Sequence, residues 1–205
     1  MIAIINYGLG NLTSILNMHK RLGIEAIITN DPQELQNADK LILPGVGHFD
    51  KGMQNLNQSG LTGLLNQLVL ENKKTILGIC LGAQLMTRKS EEGVENGLGW
   101  LPADTIRFNI NGNGSLKVPH MGWTDLAIVQ ESPIWQDLPV NPRYYFVHTF
   151  HFKFDNASFV TGQSTYGYEF ACAFQRENIY GVQFHPEKSH KFGMKLLENF
   201  ARLQK

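Results

Sequence analysis

The sequence predicts an α/β protein with a largely parallel central sheet, helices on both faces and a small antiparallel extension. Three observations lead there. Short apolar runs alternate with helical patterns through the N-terminal part of the chain. A glycine-flanked cysteine, Gly78-Ile79-Cys80-Leu81-Gly82, joins one such run directly to a helical pattern. From Asn96 to about Val140 the alternation gives way to glycines, prolines and short alternating runs.

A length of 205 residues suits one domain, residues 1–205, with a full hydrophobic core. Apolar residues make up 42% and charged residues 18%, the balance of a folded chain and not of a disordered one. The formal net charge of zero gives no bulk attraction to nucleic acid or to anionic membranes. Two cysteines, Cys80 and Cys172, make no disulfide framework, which points to a reducing compartment and a cytoplasmic protein. No run approaches the roughly 20 apolar residues that a membrane helix needs.

In order, Met1–Ile5 is an apolar run without the basic start of a secretory signal, and it reads as the first strand. A helix is expected over Leu12–Leu22, capped by Asn11 and ended by Gly23. The Gly8-x-Gly10 turn resembles the start of a dinucleotide fingerprint, but Thr13 stands where its third glycine belongs. Strands are expected at Glu25–Ile28 and Leu41–Leu43. The second runs into Pro44-Gly45-Val46-Gly47-His48-Phe49, a turn at the sheet edge where open α/β folds bind ligands. Leu61–Glu71 has the spacing of one amphipathic helix. The run at Lys74–Cys80 is a strand, and the helix after it is expected to reach Lys89 and to end at Ser90-Glu91-Glu92-Gly93. Beyond it come short strands at Thr105–Phe108, Leu116–Val118 and Leu126–Val129, with a hairpin tip at Asn109–Ser115. Further strands are expected at Tyr144–Phe150, Phe159–Thr161, Phe170–Phe174 and Ile179–Gln183. A helix over His190–Leu203 closes the chain.

A cysteine on a tight strand-to-helix turn is pushed out of the backbone, and Gly78 and Gly82 remove the Cβ atoms that would crowd it. At a helix N-terminus the dipole and free N–H groups favour a thiolate and a developing oxyanion. A lone cysteine in such a turn is ordinarily a packed structural residue, so partners decide. His185 and Glu187, separated by Pro186, also follow a strand, and in a parallel sheet strand ends gather on one edge. Together the three residues have the chemistry of nucleophile, acid–base and orienting carboxylate. Cys172, within an apolar strand, reads as core. His148 and His151 lack a completing metal-ligand set, and His148 suits a structural or substrate-facing place. His19 and His190 read as ordinary surface or packing residues.

Several motifs together resemble one family. Gly78-Ile79-Cys80-Leu81-Gly82-Ala83-Gln84 is similar to the nucleophile elbow of class I glutamine amidotransferases, and Phe184-His185-Pro186-Glu187 to their His/Glu segment. The Pro44–Phe49 turn, Ser90–Gly93, Val118-Pro119-His120-Met121-Gly122-Trp123, Tyr145-Phe146-Val147-His148 and His185–Ser189 narrow the resemblance. They point to the glutaminase subunits of imidazole glycerol phosphate synthase. The resemblance runs from Asn6 to the C-terminal helix. It implies a flavodoxin-like class I glutamine amidotransferase fold and hydrolysis of L-glutamine to glutamate and ammonia, with no cofactor and no metal. It also implies a heterodimer in which ammonia passes to a (β/α)8-barrel cyclase subunit in histidine biosynthesis. By motif it makes Cys80 the nucleophile, His185 the acid–base and Glu187 its orienting partner. Backbone N–H groups of Val46 and Leu81 become the oxyanion hole. Gly47, Gln84, Glu92 and the backbone near Thr149 and Phe150 hold glutamine. Pro119, Trp123, Tyr145 and Lys188 face the cyclase. The Pro44–Gly47 turn becomes a switch that withholds the Val46 N–H until the cyclase binds its ligand.

Three residues depart from the family pattern: Asn6, where an aspartate is expected, Ala83, where methionine is common, and His48, in a small-residue position. None removes a catalytic group. They leave open a paralogous subunit that feeds ammonia to sugar amidination in surface-polysaccharide synthesis, a branch that His190-Lys191-Phe192-Gly193-Met194 also resembles. A γ-glutamyl hydrolase or cysteine peptidase would share the elbow and the histidine. A non-catalytic binding subunit would have no use for all of Cys80, His185 and Glu187.

Overall fold

The computed structural model describes residues 1–110 and 116–204. Its first half is built from strand–helix units. β1 (Ile2–Ile5) is apolar and buried along its whole length, as a strand covered on both faces must be. It leads through a turn to α1 (Leu12–Arg21), which closes at Gly23, in the left-handed region at φ +67°. β2 (Ala26–Thr29) follows. Next comes α2 (Pro32–Asn37), which the sequence reading missed although its signal was present. The Asp31 carboxylate accepts from the N–H groups of Gln33 and Glu34, and Pro32 occupies the first turn.

β3 (Lys40–Gly45) is buried throughout. α3 (Phe49–Gln58) was also missed, because its turns are rich in Asn and Gln; Phe49, Met53 and Leu56 nonetheless recur on one buried face. The single helix expected at Leu61–Glu71 is α4 (Leu61–Asn66) running into a π-helical turn, Gln67–Glu71. β4 (Thr75–Cys80) then delivers the elbow, and α5 (Leu81–Leu85) follows it. The expected extension to Lys89 does not form, and Ser90–Gly93 ends no helix. The carbonyls of Leu85, Met86, Thr87 and Arg88 accept instead from Leu98, Trp100, Gly99 and Gly97 of the returning chain. Those bonds replace the next helical turn.

The remaining strands are β5 (Ala103–Arg107), β6 (His120–Asp125), β7 (Ala127–Ile128), β8 (Arg143–His148), β9 (Phe150–Phe154), β10 (Val160–Tyr166), β11 (Tyr168–Arg176) and β12 (Ile179–Val182), followed by α6 (His190–Arg202). Leu116–Val118 is not a strand; β6 begins just after it. The run Tyr144–Phe150 is two strands, broken at Thr149. Most of the hairpin tip expected at Asn109–Ser115, residues 111–115, lies outside the described residues.

Among the described residues the strands form one large sheet in the order β2-β1-β3-β4-β12-β11-β10-β7, with β9 beside β11 and β5 beside β9; β6 and β8 pair separately. The steps from β2 to β12 are parallel. From β12 onward the sheet continues antiparallel. Helices bury apolar side chains on both faces, with Phe49, Leu56 and Leu65 on one side and Ile15, Phe192, Leu196 and Phe200 on the other. This order sets the carboxyl ends of β3, β4 and β12 side by side, with Gly45 opposite Cys80. No helix among the described residues is long and apolar enough to cross a membrane.

Candidate active site

Cys80 takes φ +53° and ψ −115°, a conformation that costs a non-glycine residue about 1–3 kcal/mol. Tight packing holds it there. A methyl group on Gly82 would overlap the Leu43 carbonyl, and one on Gly78 would lie 2.6 Å from the Ala83 Cα. Only glycines let β4, α5 and the end of β3 approach this closely. Because α5 is so short, its macrodipole is small, and the electrostatic support expected from a helix reduces to the local N–H groups of its first turn. Gln183 donates an N–H to the Cys80 sulfur at 3.7 Å.

His185 stands three residues beyond β12, at the start of a 3-10 turn, Pro186–Lys188. Its N–H donates to the Tyr145 carbonyl at 2.9 Å. The Ser189 hydroxyl donates to the His185 carbonyl at 2.6 Å and accepts from the Tyr145 N–H at 3.0 Å. The turn is thereby tied to β8. The ring donates from Nδ1 to Glu187 Oε1 at 2.7 Å. Asn11 was expected to cap α1, but its side chain makes no cap and donates from Nδ2 to the same Glu187 oxygen at 2.8 Å. Burial acts to lower the His185 imidazolium, yet the nearby charge of Cys80 and the charge and hydrogen bond of Glu187 raise it to about 10. Burial acts to raise Glu187, yet the His185 and Asn11 bonds hold its carboxyl below the usual range. The Nε2 of His185 is buried and has no hydrogen-bond partner among the described residues.

Cys80 and His185 open on a cavity of about 290 Å³. Every residue expected to form the oxyanion hole or to hold glutamine lines it: Val46, Gly47, Leu81, Gln84, Glu92, Thr149 and Phe150. Gln84 donates to the Phe150 carbonyl at 3.1 Å and to Gln183 Oε1 at 3.0 Å. One Glu92 oxygen accepts from the Phe49 N–H at 2.8 Å, so Glu92 also secures the start of α3 behind the Pro44–Gly47 turn. Tyr7 donates to the Pro44 carbonyl at 2.7 Å. Glu187 sits behind His185, outside the cavity lining. A larger cleft of about 660 Å³ lies at the opposite ends of β4 and β12, beside the solvent-exposed Lys73–Glu177 ion pair.

The residues expected to face a partner form a strip beside the cavity. Pro119 is exposed and lines the cavity. Trp123 meets Tyr145 edge-on at 6.3 Å, and Lys188 lies 5.7 Å from the Tyr145 ring centre. Met121 and Trp123 are exposed, at 61% and 41%. His190 is more than a bystander here, because its ring stacks on Trp123 at 5.4 Å. His19 is packed, with Nδ1 donating to the Ile15 carbonyl. Cys172 is buried in the core, where burial pushes its thiol up to about 12. Asn11, Gln183 and Ser189 escaped sequence reasoning. For Asn11 the available signal, an Asn before a helix, pointed to a local role.

The model of the family described as glutamine amidotransferase class-I matches residues 3–203. The chain is 49% identical over 202 residues to the imidazole glycerol phosphate synthase subunit HisH 2 of Methanococcus maripaludis, covering 98% of this chain and 99% of that protein. It is 46% identical to the imidazole glycerol phosphate synthase subunit HisH of Bdellovibrio bacteriovorus, covering 99% and 100%. Among solved structures, PurLQS from Thermotoga maritima superposes with a TM-score of 0.74 at 18% identity, covering 97% of this chain and 96% of that one.

Proposed function

The chain belongs to the class-I glutamine amidotransferases, and on that premise we propose that it is the glutaminase subunit of an imidazole glycerol phosphate synthase. The single observation that carries the mechanism is the convergence of Cys80 and His185 on one cavity, with Glu187 bonded behind His185.

In this reading L-glutamine enters with its carboxamide carbon at Cys80. The sulfur attacks once its proton has passed to His185, and the carbonyl oxygen becomes an oxyanion beside the Val46 and Leu81 N–H groups. His185, held toward its imidazolium form by Glu187 and Cys80, gives the proton to the leaving nitrogen. The C–N bond breaks, ammonia departs and a thioester to Cys80 remains. A water molecule then loses a proton to His185 and attacks the thioester, which returns the thiol and releases glutamate. Gln84, Glu92, Gly47 and the backbone at Thr149 and Phe150 hold the amino-acid end.

The partner is a cyclase subunit seated on the strip of Pro119, Trp123, Tyr145 and Lys188, with ammonia leaving past Pro119 for histidine biosynthesis. Exposed Met121 and Trp123 support a protein-binding role for that strip. The synthase-subunit names of both relatives favour this partner over a sugar-modifying amidotransferase, and favour amide transfer over γ-glutamyl or peptide hydrolysis. The chain acts as one glutamine amidotransferase domain, and the cytoplasm is the compartment that would keep Cys80 reduced. In the test, Cys80→Ala abolishes glutamate release from L-glutamine but leaves ammonia-dependent synthesis by the pair intact. Glutamine-dependent synthesis that survives the substitution refutes the nucleophile assignment.

A further inference from the structure

Gln84 and the Phe150 carbonyl connect the cavity to a second polar chain that leads away from Cys80. His148 lines the cavity and is buried. Its Nδ1 lies 2.8 Å from the Phe150 carbonyl, which can only accept, so Nδ1 carries the proton. Its Nε2 lies 3.0 Å from His120 Nδ1. His120 Nε2 in turn lies 2.7 Å from the Thr124 hydroxyl. Burial lowers both imidazoles, His120 to about 4 and His148 well below its ordinary value, so both are neutral near pH 7. With one proton per ring only one direction satisfies every contact: Thr124 O–H to His120, His120 Nδ1–H to His148, and His148 Nδ1–H to Phe150. Cross-strand pairing puts His120 opposite His148, and the His120 ring is clamped between Phe146 and Tyr166 at 4.9 and 4.2 Å.

The Phe150 carbonyl is therefore shared. It accepts from His148 on one side and from Gln84 on the other, and Gln84 continues through Gln183 to the Cys80 sulfur. We propose that His120, which the glutamine-holding set does not include, is a positioning residue for glutamine hydrolysis: its hydrogen bond to Nε2 holds the His148 ring in place, and so steadies the Phe150 carbonyl that anchors Gln84. The proposal rests on the glutaminase reading above and adds a residue to it.

Two substitutions at one position separate this role from packing. His120→Phe keeps the ring stack and loses the donor; His120→Asn loses the stack, but its amide nitrogen reaches the place of Nδ1. In glutamate-release assays on the full chain with its cyclase subunit, His120→Phe raises the KM for glutamine about tenfold, the effect of losing one well-made buried hydrogen bond, with kcat within about twofold. His120→Asn stays within about threefold of the wild-type KM. The opposite order, or an unchanged KM in both variants, overturns the proposal and leaves the glutaminase reading standing. If neither variant folds, Thr124→Val replaces them: a raised KM at unchanged melting temperature supports the relay, and an unchanged KM refutes it. Imidazole 15N NMR tests the relay without activity. The proposal requires the Nδ1–H tautomer at His148, and the Nε2–H tautomer overturns it. Absence of wild-type glutamate release would refute the glutaminase reading alone.

Discussion

His185 and His148 border the same cavity, are both buried, and are held in opposite charge states. His185 faces Glu187 and Cys80, and these raise it against the pull of burial. His148 faces a carbonyl and a neutral imidazole; burial therefore prevails and keeps it uncharged. Burial alone thus does not assign protonation. What decides is whether the hydrogen-bond partner carries a charge. In the proposed mechanism the two rings would serve different ends: a proton donor for a leaving group and a rigid neutral strut.

Removing the charge from the first ring's partner breaks the contrast most severely. Glu187→Gln keeps an acceptor for His185 but no carboxylate, and kcat should fall about a hundredfold or more, measured as glutamate release in the complex. A loss below about fivefold would mean that the carboxylate does not set the state of His185. Asn11→Ala leaves Glu187 in place but deprives it of one donor. A decline in kcat of about fivefold to tenfold at unchanged KM is expected, the scale of one hydrogen bond to a charged group. A change in KM alone would place Asn11 with substrate binding instead.

The smallest effect lies in stability against pH. His120 is depressed to about 4, so its contribution is complete above its unfolded value near pH 6.5 and is lost as the pH falls through about 4. His185 is raised to about 10, so its contribution is complete below pH 6.5 and is lost as the pH climbs through about 10. Urea midpoints should therefore fall at both extremes. His120→Phe should flatten the acid limb, and Glu187→Gln should flatten the alkaline limb. Titration of both rings near pH 6.5, followed by NMR, would erase the distinction.

The two rings also differ in how much of them the sequence revealed. His185 and Glu187 lie two positions apart after an apolar run, and Cys80 lies between spaced glycines, so both patterns are local and readable. The helper groups are not local. Asn11 reaches Glu187 only because the start of α1 passes the turn after β12, and an isolated Asn before a helix looks like a cap. The His120–His148 contact depends on the β6–β8 register, and the strand expected at Leu116–Val118 displaced that register from view. α2 and α3 were missed because polar residues dilute their apolar spacing. α5 is shorter than its periodicity implies, because bonds from Gly97–Trp100, invisible to periodicity, terminate it. The strands of the parallel half are continuous apolar runs and stand out in the sequence.

Sheet order has a consequence for how the molecule comes into being. β12 inserts directly beside β4, and Gln183 and Cys80, which touch there, are 103 positions apart in the chain. A growing polypeptide that has already exposed the Cys80 elbow still lacks the strand, the histidine and the carboxylate that complete it. Non-local pairing of this kind makes folding slow, and under the proposed site assignment it would also set the timing of activity. On the proposed mechanism a nascent or truncated chain carries an unaided cysteine, and glutamine hydrolysis would begin only once the C-terminal quarter has closed the sheet.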